Sequence, residues 1–440
     1  MSMSFFESAV FYQMYPLGLL GAELDNQFDR EPISRLPKLN SWIDHLCRLG
    51  VDAVYLCPVF ESSHHGYDTR DFKMTDRRLG TNEELAAFIA RCHERGIRVV
   101  LDAVFNHVGR DFWAFRDVIQ NREQSPCADW FNIEFSGESN YNDGFRYEGW
   151  EGHYELVKLN LNSPEVKKHL FDAVGMWMDY LNIDGLRLDV AYLLPLDFMR
   201  ELCSFCREKK PDFWIVGEAM RGDYRDLMDG GLIDSVTNYE CYKGLFSSFN
   251  SMNMFEIAYS LGRQFGSASW TLYKGRHLFN FVDNHDVSRA ATILKEPRHL
   301  PLMYALLFTM PGIPCIYYGS EWGIRGDKKD GDNSLRPRIE SPEWNELTDH
   351  ISKLSGIRKE SRCLTHGAYR ELHLTNSRYI FERSIDSDRV IVALNIAPDE
   401  YAAHFNADAG CGIDAITGER MDFGGGLRIK PLSAAIIRVC

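Results

Sequence analysis

The chain alternates short, almost wholly apolar runs with longer stretches whose apolar residues recur every three or four positions. The runs are Val10–Tyr15, Ala53–Cys57, Val99–Val104, Gly185–Leu188, Trp214–Val216, Ser235–Asn238, Phe279–Val282 and Pro314–Tyr318. They are too short for helices and lack the polar alternation of a half-wet strand, so they read as strands buried on both faces. Between most of them lie stretches of helical period: Leu39–Leu49, Glu83–Arg95, Pro164–Leu181, Leu196–Lys209, Phe255–Gln264 and Leu300–Phe308. Thr81 and Glu84 are spaced as a capping box at the head of the second, and Gly96 stands where a left-handed residue would end it. Eight buried strands separated by helices predict a parallel sheet, and a closed (β/α)8 TIM barrel is its simplest form.

Two stretches break the alternation. From Gly109 to Val157 the chain is polar and aromatic, with Trp113, Trp130, Phe131, Tyr141, Tyr147 and Trp150. A structureless loop of that length is improbable, so a small subdomain inserted over the barrel mouth is expected. After a helical stretch at Glu343–Lys359 the pattern turns to strands alone: Tyr379–Ser384, Arg389–Asn395, Ile413–Ile416 and Ala434–Val439, with the turn signal Asp386-Ser387-Asp388. That reads as a C-terminal all-β sandwich domain. The expected division is therefore 1–108 and 158–360 for the barrel, 109–157 for the insertion and 361–440 for the sandwich.

Charge narrows the partners. Lys and Arg number 49 against 63 Asp and Glu, a net charge of −14, and no basic stripe follows the chain. Nucleic acid and anionic membrane are thus not expected as partners, and a neutral substrate fits better. Met1 to Tyr15 lacks the basic and apolar regions of a secretory leader, and Glu7 interrupts it. The eleven cysteines are scattered, many within apolar runs. Cys203 and Cys206 form a close pair, but no second pair stands at zinc spacing, so reduced thiols in a cytoplasmic protein are the expectation.

In a (β/α)8 barrel the catalytic groups stand at the C-terminal ends of the strands. The third strand ends in Asp102-Ala103-Val104-Phe105-Asn106-His107, the fourth in Arg187-Leu188-Asp189, the fifth in Gly217-Glu218 and the seventh in Asp283-Asn284-His285-Asp286. The second feeds a loop holding Gly66-Tyr67-Asp68-Thr69. Adjacent strands can hold Asp189 and Glu218 about 5–5.5 Å apart, the separation a retaining glycosidase needs for its nucleophile and its acid. Arg187 lies two residues before Asp189 and shares its face, so it would keep that carboxylate charged. Glu218 has no cation among its sequence neighbours, and nearby carboxylates would raise its pKa, as suits a general acid. Asp286, His285 and His107 are expected on sugar hydroxyls, and Tyr67 under the ring. Trp150 reads equally as a sugar platform or as subdomain core.

These segments resemble the four diagnostic segments of the α-amylase family, glycoside hydrolase family 13: Asp102-x4-His107, Gly185-x-Arg187-x-Asp189, Gly217-Glu218 and Asn284-His285-Asp286. The resemblance implies Asp189 as nucleophile, Glu218 as acid/base and Asp286 as transition-state stabiliser. It also implies that Asp102, Tyr67, His107, Arg187 and His285 surround the cleaved sugar. Arg336, in Asp332-Asn333-Ser334-Leu335-Arg336-Pro337, resembles a family loop on the outer donor side, with a solvated surface arginine as the alternative. Leu156-Val157-Lys158-Leu159-Asn160 and Asp189-Val190-Ala191 are similar to the neopullulanase and cyclomaltodextrinase branch, whose N-terminal domain is not expected here. Tyr192-Leu193 departs from the Lys-His or Asn-Glu of relatives on the leaving-group side. The implied activity is hydrolysis of α-1,4 bonds in maltodextrins or cyclodextrins through a covalent intermediate, with an α-glucan oligosaccharide as partner. Transglycosylation, α-1,6 action and an inactive amylase-like binding protein are the alternatives. No cofactor or metal is required by this reading. Asn106 matches a calcium ligand of secreted amylases, but the accompanying histidine is missing. A metal-dependent barrel hydrolase would need more converging ligands than His107 and His285.

Overall fold

The computed structural model describes residues 4–440; Met1 to Met3, the head of the segment read for a leader, lie outside the described residues. Eight short parallel strands form the centre: β1 (Phe11–Met14), β2 (Ala53–Leu56), β3 (Arg98–Ala103), β4 (Gly185–Leu188), β5 (Trp214–Gly217), β6 (Ser235–Val236), β7 (Phe279–Phe281) and β8 (Ile313–Tyr317). Their order in the sheet is β6-β5-β4-β3-β2-β1-β8-β7, and a parallel bridge from Thr237 to Phe279 joins the two ends. The sheet is a closed barrel. Apart from Arg98 at its lower rim, every strand residue is buried, which is why these segments carry no polar alternation.

The expected helices form where the period placed them, within a residue or two at most ends. Thr81 and Glu84 make both bonds of the capping box before Asn82–Glu94. The helix from Pro164 loosens after Met176 into a π turn over Trp177–Leu181, and Trp177 donates its indole N–H to the carbonyl of Phe72 at 2.7 Å. Among the helices that were not expected, Tyr239–Ser251 follows β6 almost without a loop, capped by Asn238, whose side chain accepts from the Cys241 amide. By sequence Asn238 reads as the last residue of the strand, which hides its role as the helix cap.

Between β3 and β4 the strands His107–Gly109, Gly149–Trp150 and His153–Lys158 form a small antiparallel sheet beside the helix Trp113–Asn121. Aromatic rings fill it: Phe115 lies 5.1 Å from Phe131 and 5.0 Å from Tyr147, centre to centre. At the other end of the chain is a six-stranded antiparallel sheet, in the order Ala368–Leu374, Arg378–Ile385, Asp388–Asn395, Ser433–Val439, Cys411–Asp414, Arg420–Asp422. One face packs Ile380, Ile391 and Ile437 against the two-stranded sheet of Tyr401–Ala403 and Leu427–Ile429. The other face, with Phe381, Val392 and Ile436, is continuous with the barrel core. Arg383 crosses that junction and donates to the carbonyls of Thr309 and Gly367 at 2.8 and 2.9 Å. No helix among the described residues is long and apolar enough to cross a membrane. The eleven cysteines are all unpaired, with Cys203 and Cys206 buried in the helix Leu196–Lys209.

Candidate active site

Strand register builds the site. Arg187 on β4 stands opposite Asp102 on β3 and opposite Val216 on β5. One residue past the ladders, the Asp189 amide donates to the Ala103 carbonyl at 3.1 Å and the Glu218 amide to the Leu188 carbonyl at 2.9 Å. Asp102, Asp189 and Glu218 therefore converge on one buried guanidinium. Arg187 Nη1 donates to Asp102 Oδ1 at 2.9 Å and to Asp189 Oδ1 at 2.7 Å, while Nη2 lies 3.0 Å from Glu218 Oε2. Tyr55 and Tyr67 donate their hydroxyls to Asp102 Oδ2 at 2.5 and 3.1 Å.

Glu218 thus has a cation against it, contrary to the expectation from its sequence neighbours, because Arg187 reaches across from the adjacent strand. Its carboxyl is nevertheless raised above the ordinary glutamate value. Burial is the largest cause; Arg187 opposes it, and the charges of Asp286 and Asp102 add to it. Asp189 is likewise pushed up, by burial first, with Arg187 opposing and Glu218 and Asp102 reinforcing. Arg187 favours the charged form of Asp189, as expected from their shared face, but burial works against it, and the two carboxyls share one guanidinium.

The acid is also tied to the backbone beside Asp189. Val190 adopts a left-handed conformation, φ 39° and ψ 46°, which costs a β-branched residue energy. That turn aims its amide at Glu218 Oε2, 3.0 Å away. Gly217, just before Glu218, has no room for a side chain, since a Cβ there would lie 2.6 Å from Ile233 Cδ1 and 2.8 Å from Ala191 Cβ.

The far wall comes from β7 and the loop after β8. His285 stacks on Tyr67 at 5.5 Å and 9°, is bonded to the Tyr67 hydroxyl through Nε2, and meets Gln13 Nε2 through Nδ1 at 2.8 Å. Burial keeps His285 and His107 neutral, each pushed down to about 3. Burial also works against the charge on Asp286, but His285, Arg336 and Arg187 outweigh it and hold its carboxyl below the ordinary range. Arg336 Nη2 donates to Asp286 Oδ1 at 3.1 Å, and its Nε donates to the His285 carbonyl at 3.2 Å. Arg336 is buried and lines the cleft, so it is not a solvated surface arginine.

Above these groups is a cleft of about 520 Å³ lined by Tyr67, His107, Trp150, Asp189, Glu218, Asp286 and Arg336, among others. Eight of the ten residues singled out from the sequence meet through the contacts above; His107 joins them 3.9 Å from Asp189 Oδ2, and Trp150 lies 5.8 Å from the His107 ring. Trp150 stacks on His153 at 5.3 Å with its edge in the cleft wall, so it is more than subdomain core. His107 Nε2 is buried with no hydrogen-bond partner among the described residues, 3.9 Å from Asp189 Oδ2, an N–H free to meet a ligand hydroxyl. Asn106 turns its amide to His107 Nδ1 at 3.1 Å. Sequence reasoning missed Tyr239, whose hydroxyl approaches Glu218 Oε1 at 3.4 Å and accepts from Asn284 at 3.2 Å. It also missed Gln13, a lone amide in a buried strand, which was a legible signal. Tyr192 sits beneath Arg221, 5.2 Å from its guanidinium, and Arg221 pairs with Glu151 of the insertion at 2.9 Å.

Buried paired carboxylates, neutral imidazoles and an aromatic wall suit acid-assisted displacement on a polyhydroxylated, uncharged substrate. Comparison with known proteins agrees. Residues 36–362 match the family described as "Alpha amylase, catalytic domain". A cyclomaltodextrinase from Bacillus sp is 32% identical over 418 residues, 88% of this chain and 73% of that protein. Neopullulanase 2 from Thermoactinomyces vulgaris is 34% identical over 403 residues, covering 88% and 66%. The ligand-free cyclic α-maltosyl-(1→6)-maltose hydrolase from Arthrobacter globiformis superposes with a TM-score of 0.85 at 29% identity, covering 100% of both chains. The matched span holds all eight strands but the first and every catalytic candidate, and on that ground the chain belongs to the α-amylase family of glycoside hydrolases, in the branch of the cyclomaltodextrinases and neopullulanases.

Proposed function

We propose that this enzyme hydrolyses α-1,4 bonds of maltodextrins or cyclodextrins with retention of configuration. The observation that carries the reading is the single guanidinium of Arg187 bonded to Asp189 on one side and Glu218 on the other. That bridge keeps the two carboxyls close, which supports the spacing of a retaining pair rather than of a pair with a water between. In the first step Asp189 attacks the anomeric carbon as Glu218 passes its proton to the glycosidic oxygen. The C–O bond breaks, the leaving sugar departs as an alcohol and a glycosyl ester of Asp189 forms. Glu218, now a carboxylate, takes a proton from water, whose oxygen displaces Asp189 and releases the α-anomer. Asp286, held by Arg336, would bind the hydroxyls of the sugar as positive charge develops at the ring, and Tyr67 offers it an aromatic face. No metal takes part in this scheme. The unpaired cysteines support a reducing, cytoplasmic setting.

A second reading, action on α-1,6 bonds of a small cyclic substrate, is favoured by the full-length likeness to the Arthrobacter hydrolase, whose own name specifies such a compound. Proton NMR time courses with maltoheptaose, a cyclodextrin and a cyclic α-1,4/α-1,6 tetrasaccharide decide between them. Early α-anomers from the first two support the α-1,4 reading. Turnover confined to the third supports the alternative, and early β-anomers from any of them would overturn retention.

A further inference from the structure

We propose that Glu7, His277 and His366 form a binding site for a divalent transition-metal ion on the barrel face opposite the cleft. Glu7 lies in the short helix Phe5–Ser8 before β1, His277 two residues before β7, and His366 ends the helix Arg362–His366 that leads into the C-terminal sheet. All three stand at the N-terminal ends of barrel elements or at the junction below them, so the site has no part in the cleavage chemistry.

One ligand atom from each, two imidazole nitrogens and a carboxylate oxygen, lie within 4.8 Å of one another. A tetrahedral ion with bonds of roughly 2.0–2.1 Å needs ligand separations of roughly 3.4 Å. The closure of up to about 1.4 Å that this requires is within reach of side-chain rotation, because all three residues are only partly buried. The two rings meet edge to face, 5.1 Å apart at 74°. His277 Nδ1 is buried and has no hydrogen-bond partner among the described residues. Burial keeps both rings neutral, as a metal ligand must be.

Two nitrogens and one oxygen suit zinc, cobalt or nickel over calcium, which prefers six or more oxygens. The fourth position is open to water. The guanidiniums of Arg358 and Arg383, whose fields reach both rings, weaken the attraction for a cation, so binding is expected to fall short of a closed four-ligand structural site. An ion here would clip the N-terminal helix to β7 and to the start of the C-terminal sheet, stabilising the native state by mass action.

The test uses the untagged full chain stripped with chelator. Cobalt titration followed by visible absorption should give tetrahedral d–d bands saturating near one equivalent, and zinc should raise Tm. His366→Gln and Glu7→Gln should each weaken cobalt binding by about tenfold or more and abolish the zinc-dependent Tm rise, with glucan turnover unchanged. Glu7→Gln is the near-isosteric control if His366→Gln folds poorly. Absence of the cobalt bands, or bands equally strong in the folded Glu7→Gln variant, would overturn the proposal.

Discussion

The backbone amide of Val190 donates to Glu218 Oε2 at 3.0 Å, from a residue held in the left-handed region directly after Asp189. The two carboxyls proposed to do the chemistry are therefore joined twice: through Arg187 and through the peptide that follows Asp189. Neither can shift without the other. Such coupling supplies the preorganisation that acid-assisted displacement requires.

The first prediction concerns these carboxyls. Asp189→Asn and Glu218→Gln should each lower kcat on maltoheptaose by about three orders of magnitude or more, with Tm little changed. Both replacements preserve shape and can still accept from Arg187. Near-normal turnover in either folded variant would remove that residue from the mechanism.

A second follows from the raised carboxyl of Glu218. Burial lifts it most, Arg187 opposes, and the negative charge of Asp286 lifts it further. The alkaline limb of kcat/KM should consequently fall above the ordinary glutamate range. In Asp286→Asn, which loses that negative charge, the limb of the residual activity should move to lower pH. A limb that stays in place, or moves to higher pH, contradicts Glu218 as the titrating acid.

Trp150 tests the binding wall. It stacks on His153 and flanks His107 at the edge of the cleft. Trp150→Ala should raise KM for maltoheptaose by roughly three- to tenfold and leave kcat nearly unchanged, as the loss of an aromatic contact shared by ground and transition states predicts. A fall in kcat with unchanged KM would assign Trp150 a different role.

Gly217→Ala should be costly for its size. The added Cβ would sit 2.6 Å from Ile233 Cδ1 and 2.8 Å from Ala191 Cβ, in a fully packed strand end. Overpacking of this kind costs about 1–3 kcal/mol. Chemical denaturation should reveal it, and kcat should fall as well, because the displaced residue carries Glu218.

Acid stability is the last. Burial opposes the charge on Asp184, yet bonds from His93 at 2.7 Å, the Val99 amide at 2.9 Å and Lys210 at 3.1 Å hold its carboxyl down at about 2. A carboxyl depressed in the folded state stabilises above its unfolded pKa, about 3.9, and loses that contribution as pH falls through the folded value. Asp184→Asn should therefore cost about 2 kcal/mol at pH 7, a gap that closes toward pH 2. Equal denaturation midpoints at pH 7 would refute it.

The sequence by itself determined the eight strands, most helices and the residues at the strand ends. Strands buried on both faces must be continuously apolar, and Asp102, Arg187, Asp189, Glu218 and Asp286 interrupt or end that apolar background, so they were legible as a set. Less was legible where local signals fade. The helix Tyr239–Ser251 starts directly after its strand at Asn238, a cap that reads equally as a strand end, so Tyr239 was not placed beside Glu218. The strand Ala368–Leu374 has its apolar residues interrupted by Arg370, Glu371 and His373, so no apolar run announces it. What only the tertiary structure decided is which charges meet. Arg187 touches Glu218 across strand register, Arg336 is folded onto Asp286 from fifty residues away, and Glu7, His277 and His366 gather from three distant parts of the chain. Electrostatics depends on distance in space and on burial, and a sequence records neither for residues on different strands.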